Sequence, residues 1–152
     1  MRCLIWGAGA IGGTLGAHLA RAGHDVTLVD TVDEHVAAIA RDGLRITGPL
    51  AEFTAHVAAA TPAALVGQWE TIVLATKAQH TEEAARLMRP HLSDSGCVVS
   101  AQNGLNELAI ARIVGRERTV GAFVDFGADY LEPGVIHTAA VVRRSWARST
   151  AP

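Results

Sequence analysis

The sequence predicts an α/β fold, in which a doubly wound, mostly parallel sheet has helices on both faces. Strand patterns alternate along the chain with helical patterns of about ten residues, as in βαβ units. The strands are short, continuous apolar runs, which is typical of a parallel sheet that is covered on both faces. A glycine-rich turn joins the first strand to the first helix.

The size and composition predict one domain with part of its surface covered. A chain of 152 residues can bury a sizeable core. Hydrophobic residues make up 49% and charged residues 18%, and the mean hydropathy is +0.23. This apolar composition suggests a surface that packs against another surface. The formal net charge of -2 argues against nucleic acid or an anionic membrane as a partner.

The chain also carries features of a cytoplasmic protein. Its N-terminus does not resemble a signal peptide, and no apolar run approaches the length of about 18 residues that a membrane span needs. Cys3 and Cys97 each lie inside an apolar run, so we expect reduced core residues rather than a disulfide. We therefore expect a cytoplasmic location and no membrane partner.

The first elements in the chain form a βαβα pattern. Residues 2–6 predict a strand, residues 7–13 a turn, and residues 10–22 a helix with apolar side chains at helical spacing. Residues 25–29 predict a second buried strand. A second helix is expected over residues 33–41, with acidic residues in its first turn, as the helix dipole favours.

The middle of the chain departs from this pattern and then returns to it. Two short pieces at 44–47 and 53–57 predict a hairpin. A strand at 71–76, a helix at 81–88 and a strand at 97–101 then restore the alternation.

The last elements complete the predicted domain. Residues 105–114 predict a helix, and residues 119–126 and 135–142 predict two strands. The polar stretch 143–152 has no helical or strand period and predicts an irregular tail. These patterns place one domain at residues 1–142.

The glycine turn reads GAGAIG and matches G-x-G-x-x-G, the fingerprint of Rossmann-type folds that bind dinucleotides. Gly7 permits the tight turn, Gly9 leaves room for a pyrophosphate because it has no Cβ, and Gly12 lets the helix pack against the strand. The free N–H groups at the helix start, among them those of Ala10 and Ile11, would face the diphosphate. The short motif gains weight from the strand before it and the helix after it.

Asp30 supplies the second half of this fingerprint. It lies 18 residues past Gly12, at the end of the second strand. A carboxylate there can accept both hydroxyls of an adenosine ribose and would repel a 2′-phosphate, so we expect NAD in preference to NADP. Residues 31–35 contain no arginine to bind such a phosphate. NADP stays open as the alternative, as does a solvated loop position for Asp30.

Three further stretches carry a specific likeness to a known family: IVLATKAQHTEEA at 72–84, VVSAQNGLNELAIA at 98–111 and EPGVIHT at 132–138. With the glycine turn, and in the same order and spacing, they resemble the N-terminal domain of ketopantoate reductases (2-dehydropantoate 2-reductases). The resemblance covers about residues 1–142. It implies a nicotinamide-dependent oxidoreductase that transfers hydride to a 2-keto acid, ketopantoate, to give a 2-hydroxy acid.

The resemblance also assigns residues to the reaction. Lys77 matches the family lysine near the nicotinamide and the substrate, and Asn103 matches the asparagine that lines the same place. Thr76, next to Lys77, belongs to the same implied cofactor site. The chemistry agrees, because hydride transfer to a ketone leaves negative charge on oxygen, and a cation or an amide donor stabilises that charge. Lys77 is also the only lysine in the sequence.

Other polar residues receive weaker assignments. Gln102 could face the cofactor or the core, and we expect Glu107 to be structural. The seven histidines show no metal-type spacing with cysteines or carboxylates, so we expect no metal site.

The chain departs from the family pattern after residue 142. Family members continue into a helical domain, which supplies the general-acid lysine and one wall of the substrate cleft, and nothing here resembles it. We therefore expect cofactor binding with little or no turnover by this chain. The alternatives are a non-catalytic NAD(H)-binding module or a subunit completed by another polypeptide. An uncovered apolar face would also favour self-association.

Overall fold

The computed structural model describes residues 1–139, which form a larger and a smaller sheet with helices packed against them. The predicted tail at 143–152 and the end of the strand predicted at 135–142 lie outside the described residues. In chain order the elements are β1 (Arg2–Trp6), α1 (Ala10–Arg21), β2 (Asp25–Val29), α2 (Asp33–Asp42), β3 (Leu44–Thr47), β4 (Phe53–Ala55), β5 (Ala58–Ala60), β6 (Trp69–Leu74), α3 (Thr81–Met88), β7 (Leu92–Ser100), α4 (Glu107–Val114), β8 (Thr119–Gly121), β9 (Ala128–Glu132) and β10 (Val135–Thr138).

The larger sheet confirms the predicted fold class. Its six strands have the spatial order β5-β2-β1-β6-β7-β8, and every neighbouring pair is parallel. Numbered by their sequence within this sheet, the strands run 3-2-1-4-5-6, which is the order of a Rossmann-type domain. The order reverses between β1 and β6, so the topological switch point lies between these two strands.

Helices cover both faces of this sheet and create two cores. Leu4 and Trp6 of β1 pack on one face with residues of α3 and α4, including Met88. Cys3 and Ile5 point to the opposite face and pack with residues of α1, α2 and the smaller sheet. Successive side chains of a strand alternate between the faces, so the apolar run of β1 serves both cores.

The smaller sheet contains the predicted hairpin and two further strands. Its order is β4-β3-β10-β9, and β3 pairs antiparallel with β4, as predicted. β10 pairs parallel with β3 and antiparallel with β9. This sheet packs on α1, where a Cβ on Gly13 would come within 2.3 Å of Cδ1 of Ile136. The absence of a side chain at Gly13 therefore lets β10 approach the helix.

Several predicted boundaries were wrong. The strand predicted at 119–126 ends at Gly121, because its pairing partner β7 ends at Ser100, opposite Gly121. The second half of the predicted hairpin, 53–57, ends at Ala55. The next residues form β5, a three-alanine edge strand of the larger sheet. β9 was not predicted, since its pairing with β10 follows from tertiary contacts.

The two cysteines are free thiols, as expected; Cys3 is buried in the core, but Cys97 is only half-buried. Both are in register with Thr71 of β6, which separates their strands. Two strand spacings amount to about 9.5 Å, which exceeds the Cα separation of about 7 Å that a disulfide tolerates. Burial raises the pKa of the Cys3 thiol. Within residues 1–139, no helix combines the length and the apolar character that crossing a membrane requires.

Gly12 offers a test of the packing between α1 and the sheet. A Cβ there would lie 1.9 Å from the carbonyl oxygen of Gly7, a backbone atom that cannot rotate away. We expect Gly12→Ala to lower the free energy of unfolding by about 3 kcal/mol, as overpacking does. Gly9→Ala is the matched control, because its Cβ would meet nothing within 4 Å. Urea unfolding followed by circular dichroism measures both; equal stability of the two variants would contradict the packing role.

Candidate functional site

A cleft of about 510 Å³ opens at the carboxyl edge of the larger sheet, at the switch point between β1 and β6. Ligands of open α/β sheets bind at this place, because the loops that leave adjacent strands diverge there. The cleft is lined by eight of the nine residues that the sequence predicts as site residues: Gly7, Gly9, Ala10, Ile11, Asp30, Thr76, Lys77 and Asn103.

Gly12, the ninth predicted residue, does not line the cleft. A Cβ on it would approach Ala75 and Ile5 to about 3 Å, in addition to the carbonyl oxygen of Gly7. Its contribution is therefore steric, because it brings the first turn of α1 against the ends of β1 and β6.

Gly7 and Gly9 shape the wall of the cleft that precedes α1. Gly7 has a φ of +98°, a conformation that glycine adopts without strain, and its N–H donates to the carbonyl of Val29 at 2.8 Å. The space that a Cβ of Gly9 would occupy is open. A ligand can therefore approach the backbone closely at this residue.

The start of α1 presents unpaired donors to this space. The first intrahelical hydrogen bond runs from the N–H of Gly13 to the carbonyl of Gly9, at 2.7 Å. The N–H groups before Gly13, including those of Ala10 and Ile11, have no partner within the helix. Such groups bind anions, and the helix dipole favours negative charge at the same end.

Asp30 lies half-buried at the end of β2, on another wall of the cleft. Its Oδ2 accepts the N–H of Ala8 at 2.9 Å, and its Oδ1 accepts the N–H of Val32 at 3.1 Å. A carboxylate has about four acceptor positions, so both oxygens keep capacity for a hydroxyl donor from a ligand.

Acidic side chains lie around Tyr130, which is near Asp30. Tyr130 of β9 packs edge-on against the ring of His35. Burial raises the pKa of Tyr130, and the nearby carboxylate of Asp30 raises it further. Glu34 and Glu132 act in the same direction. Three carboxylates therefore act on Tyr130, and one of them is that of Asp30.

Lys77 and Asn103 provide polar groups at the opposite end. Lys77 follows β6 and Asn103 follows β7, and both side chains are exposed. The two strands are neighbours in the sheet, so their loops leave at the same edge. Within the described part of the chain, Lys77 takes part in no ion pair. Its charge is therefore available to a ligand in the cleft.

Gln102, whose environment the sequence left open, holds the floor of the cleft together. It is only 8% exposed. Its Nε2 donates to the backbone carbonyl of Thr76 at 2.7 Å and to Oγ1 of Thr81 at 2.9 Å. The end of β7 is thereby tied to the residue before Lys77 and to the start of α3. Gln102 thus fixes the position from which Lys77 extends.

Further lining residues were not predicted as site residues. They flank the predicted ones in the loops after β6 and β7: Ala75, Ala78, Gln79, His80, Ala101 and Gln102. Only their position directly after apolar strands could have identified them. His80 is exposed and lines the cleft. Among residues 1–139, no three His, Cys, Asp or Glu side chains group as metal ligands would.

Fold and cleft together define a Rossmann-type α/β domain with a cleft at the switch point, the place where open α/β sheets bind their ligands. A family model described as ketopantoate reductase PanE/ApbA matches residues 3–147. The chain belongs to this ketopantoate reductase family.

Two similar proteins come from Pyrococcus species. The 2-dehydropantoate 2-reductase of Pyrococcus abyssi is 40% identical over 137 residues, which is 90% of this chain and 44% of that protein. The protein of the same name from Pyrococcus horikoshii is 37% identical over 139 residues, again 90% of this chain and 44% of the relative. The chain thus spans a little under half the length of these relatives.

Solved structures with a similar fold also match this chain over less than half of their own length. The 2-dehydropantoate 2-reductase from Geobacter metallireducens has a TM-score of 0.83 at 30% identity, over 92% of this chain and 46% of that one. D-mandelate dehydrogenase, solved with NADH and anilino(oxo)acetate, has a TM-score of 0.85 at 27% identity, over 91% and 45%.

The role of Gln102 can be tested through stability. Gln102→Leu removes the donors to Thr76 and Thr81, and we expect it to lower the free energy of unfolding by about 2 kcal/mol. Gln79→Leu is the matched control on the same cleft, because Gln79 is exposed. Its change should stay within about 0.5 kcal/mol. Urea denaturation measures both values, and equal losses would contradict the tie between β6, β7 and α3.

Proposed function

We propose that the cleft binds a nicotinamide dinucleotide and that the chain is the cofactor-binding half of a 2-keto acid reductase of the ketopantoate reductase type. The observation that carries the proposal is the convergence of four chain segments on one cleft. The glycine turn, Asp30, Lys77 and Asn103 follow four different strands and still line the same space. We also propose that the dinucleotide-binding domain spans residues 1–142.

The groups around the cleft fit the parts of a dinucleotide in order. The diphosphate would lie against Gly9, Ala10 and Ile11. The N–H groups there have no partner within the helix, and the space beside Gly9 is open to a ligand. The adenosine ribose would reach Asp30, whose oxygens retain acceptor capacity. The nicotinamide would then extend towards Lys77 and Asn103, across the end of β6.

We further propose a preference for NAD over NADP. The carboxylate of Asp30 would repel a 2′-phosphate, and the neighbouring Glu34 and Glu132 add to the same acidic surrounding. Residues 31–35 offer no arginine that could compensate. The D-mandelate dehydrogenase that resembles this fold was solved with NADH, which is consistent with this preference.

The chemistry assigned to this half is the stabilisation of charge. When bound, a reduced nicotinamide would supply the hydride. The ammonium of Lys77 and the amide of Asn103 would donate to the substrate oxygen, on which negative charge would develop. Ketopantoate, reduced to pantoate, is the substrate that the family indicates. The name D-mandelate dehydrogenase favours a broader class, the 2-hydroxy acids and their keto forms, as the second candidate.

We expect little or no turnover from the 152-residue chain on its own, because it spans less than half of its relatives. The alternative is a non-catalytic NAD(H)-binding module, or a subunit that a helical domain on another polypeptide completes. Three large apolar side chains near the cleft support a covering partner, since Leu105, Leu108 and Phe123 are strongly exposed. Phe123 also lines a depression of about 290 Å³ together with Asn103. Self-association through this face and a cytoplasmic location stay predictions.

Titration with NADH and NADPH, followed by an assay with ketopantoate, tests the proposal. We expect saturable quenching of tryptophan fluorescence by NADH and a slow or absent turnover. The Gly9→Ala variant should remain folded and bind at least about tenfold more weakly, or about 1.4 kcal/mol, because its Cβ would enter the diphosphate position. Failure of the wild-type chain to bind either dinucleotide would overturn the proposal, and turnover at an ordinary enzyme rate would contradict the expected dependence on a second domain.

Asp30 gives a sharper test of cofactor choice. Asp30→Asn has the same shape and removes the negative charge, but it keeps only one of the two oxygen acceptors. The loss of one backbone contact should weaken the binding of both dinucleotides alike, so we expect the ratio of the NADPH to the NADH dissociation constant to fall by about tenfold. Asp42→Asn, at the far end of α2, removes an equal charge from a fully exposed position and should leave the ratio unchanged. Fluorescence titration of both variants measures the ratio. An equal fall in both would mean that net charge, rather than Asp30, selects the cofactor.

A further inference from the structure

His35 is a buried polar residue that lies outside the predicted site. It lies in the first turn of α2 and is only 1% exposed. Both of its ring nitrogens are hydrogen-bonded. Nε2 lies 2.9 Å from the carbonyl oxygen of Ala8, and Nδ1 lies 2.9 Å from the backbone nitrogen of Gly134. The ring thus joins the glycine turn to the turn between β9 and β10.

These two partners define the tautomer of the ring. The backbone N–H of Gly134 can only donate, so Nδ1 accepts and carries no proton. The ring proton is therefore on Nε2, which donates it to the carbonyl of Ala8. A neutral imidazole is the only form that satisfies both contacts.

The contact with Ala8 determines the direction of the next peptide group. The peptide bond between Ala8 and Gly9 is trans, so the N–H of Gly9 points away from the carbonyl of Ala8. His35 holds that carbonyl on the core side, and the N–H of Gly9 consequently points in the opposite direction. On the other side of Ala8, Asp30 accepts the N–H at 2.9 Å. Side chains therefore hold both peptide groups that flank Ala8.

We propose that His35 is a positioning residue for the dinucleotide: by holding the carbonyl of Ala8, it orients the N–H of Gly9 towards the diphosphate. This inference rests on the proposed function, because it assumes that the diphosphate binds at the glycine turn. The bond to Gly134 has a separate consequence, since it anchors the ring to the smaller sheet. The Nε2 contact serves binding, and the Nδ1 contact serves the packing of α2 on that sheet.

Two substitutions separate the contacts. In His35→Gln the side-chain amide can reach the place of Nε2 and donate to Ala8, but nothing accepts from Gly134. In His35→Asn the shorter amide can accept from Gly134 at the place of Nδ1, but nothing donates to Ala8. Each variant loses one hydrogen bond of a buried group, so we expect similar losses of thermal stability. Ile39→Val, a buried position on the same helix, controls for destabilisation alone.

NADH titration of the purified chain gives the decisive readout. We expect His35→Gln and Ile39→Val to bind NADH within about threefold of the wild type, and His35→Asn to bind about tenfold more weakly. Equal affinities of the two His35 variants would overturn the positioning role, as would weaker binding by His35→Gln than by His35→Asn. A wild-type chain that binds neither NADH nor NADPH would instead overturn the proposed function.

A second measurement tests the geometry without any cofactor. In the ¹⁵N spectrum of the wild-type chain, the imidazole shifts should show a proton on Nε2. The amide signal of Gly9 should move in His35→Asn and stay close to its wild-type position in His35→Gln. A proton on Nδ1, or an unchanged Gly9 signal in His35→Asn, would overturn the inference even if NADH binding is intact.

Discussion

The first turn of α1 lies close against the ends of β1 and β6, and this contact determines how the helix, the larger sheet and the cleft are arranged. A Cβ at Gly12 would collide with the carbonyl of Gly7, and a Cβ at Gly7 would lie 2.9 Å from the backbone nitrogen of Thr76. Only glycine at these places lets helix and strands meet at this distance. Because β1 and β6 flank the switch point, the same contact places the helix start at the mouth of the cleft.

The position of the cleft next to this contact follows from the topology of the larger sheet. The larger sheet is parallel throughout, so β2, β6 and β7 all end at the edge where α1 begins. The residues after those ends, Asp30, Lys77 and Asn103, thereby line a single space. The smaller sheet supports the arrangement from the side, since β10 packs on α1 at Gly13 and His35 connects its turn to Ala8. Packing and binding thus use the same short segment of chain.

Much of this could be predicted from the sequence because its signals are local. The glycine turn, the acid after β2 and the lysine after β6 are read from residues adjacent to apolar strands, and their convergence follows once the sheet is parallel. The smaller sheet could not be predicted in full, because Val135 pairs with Arg45 across 90 positions and no local pattern marks the pair. The hydrogen bonds of His35 could not be predicted for the same reason, since its partners are 27 and 99 positions away. The three alanines of β5 carry little strand propensity, and only pairing with β2 makes them a strand.

We propose that one ligand spans the cleft from the glycine turn to Lys77 and Asn103. Titration of the ¹⁵N-labelled chain with NADH, followed through amide signals, tests it most directly. We expect five amide signals to shift together and to saturate at one NADH concentration: those of Gly9, Ala10, Ile11, Lys77 and Asn103. Shifts confined to one end of the cleft, shifts on another face of the domain, or no shifts at all would contradict it.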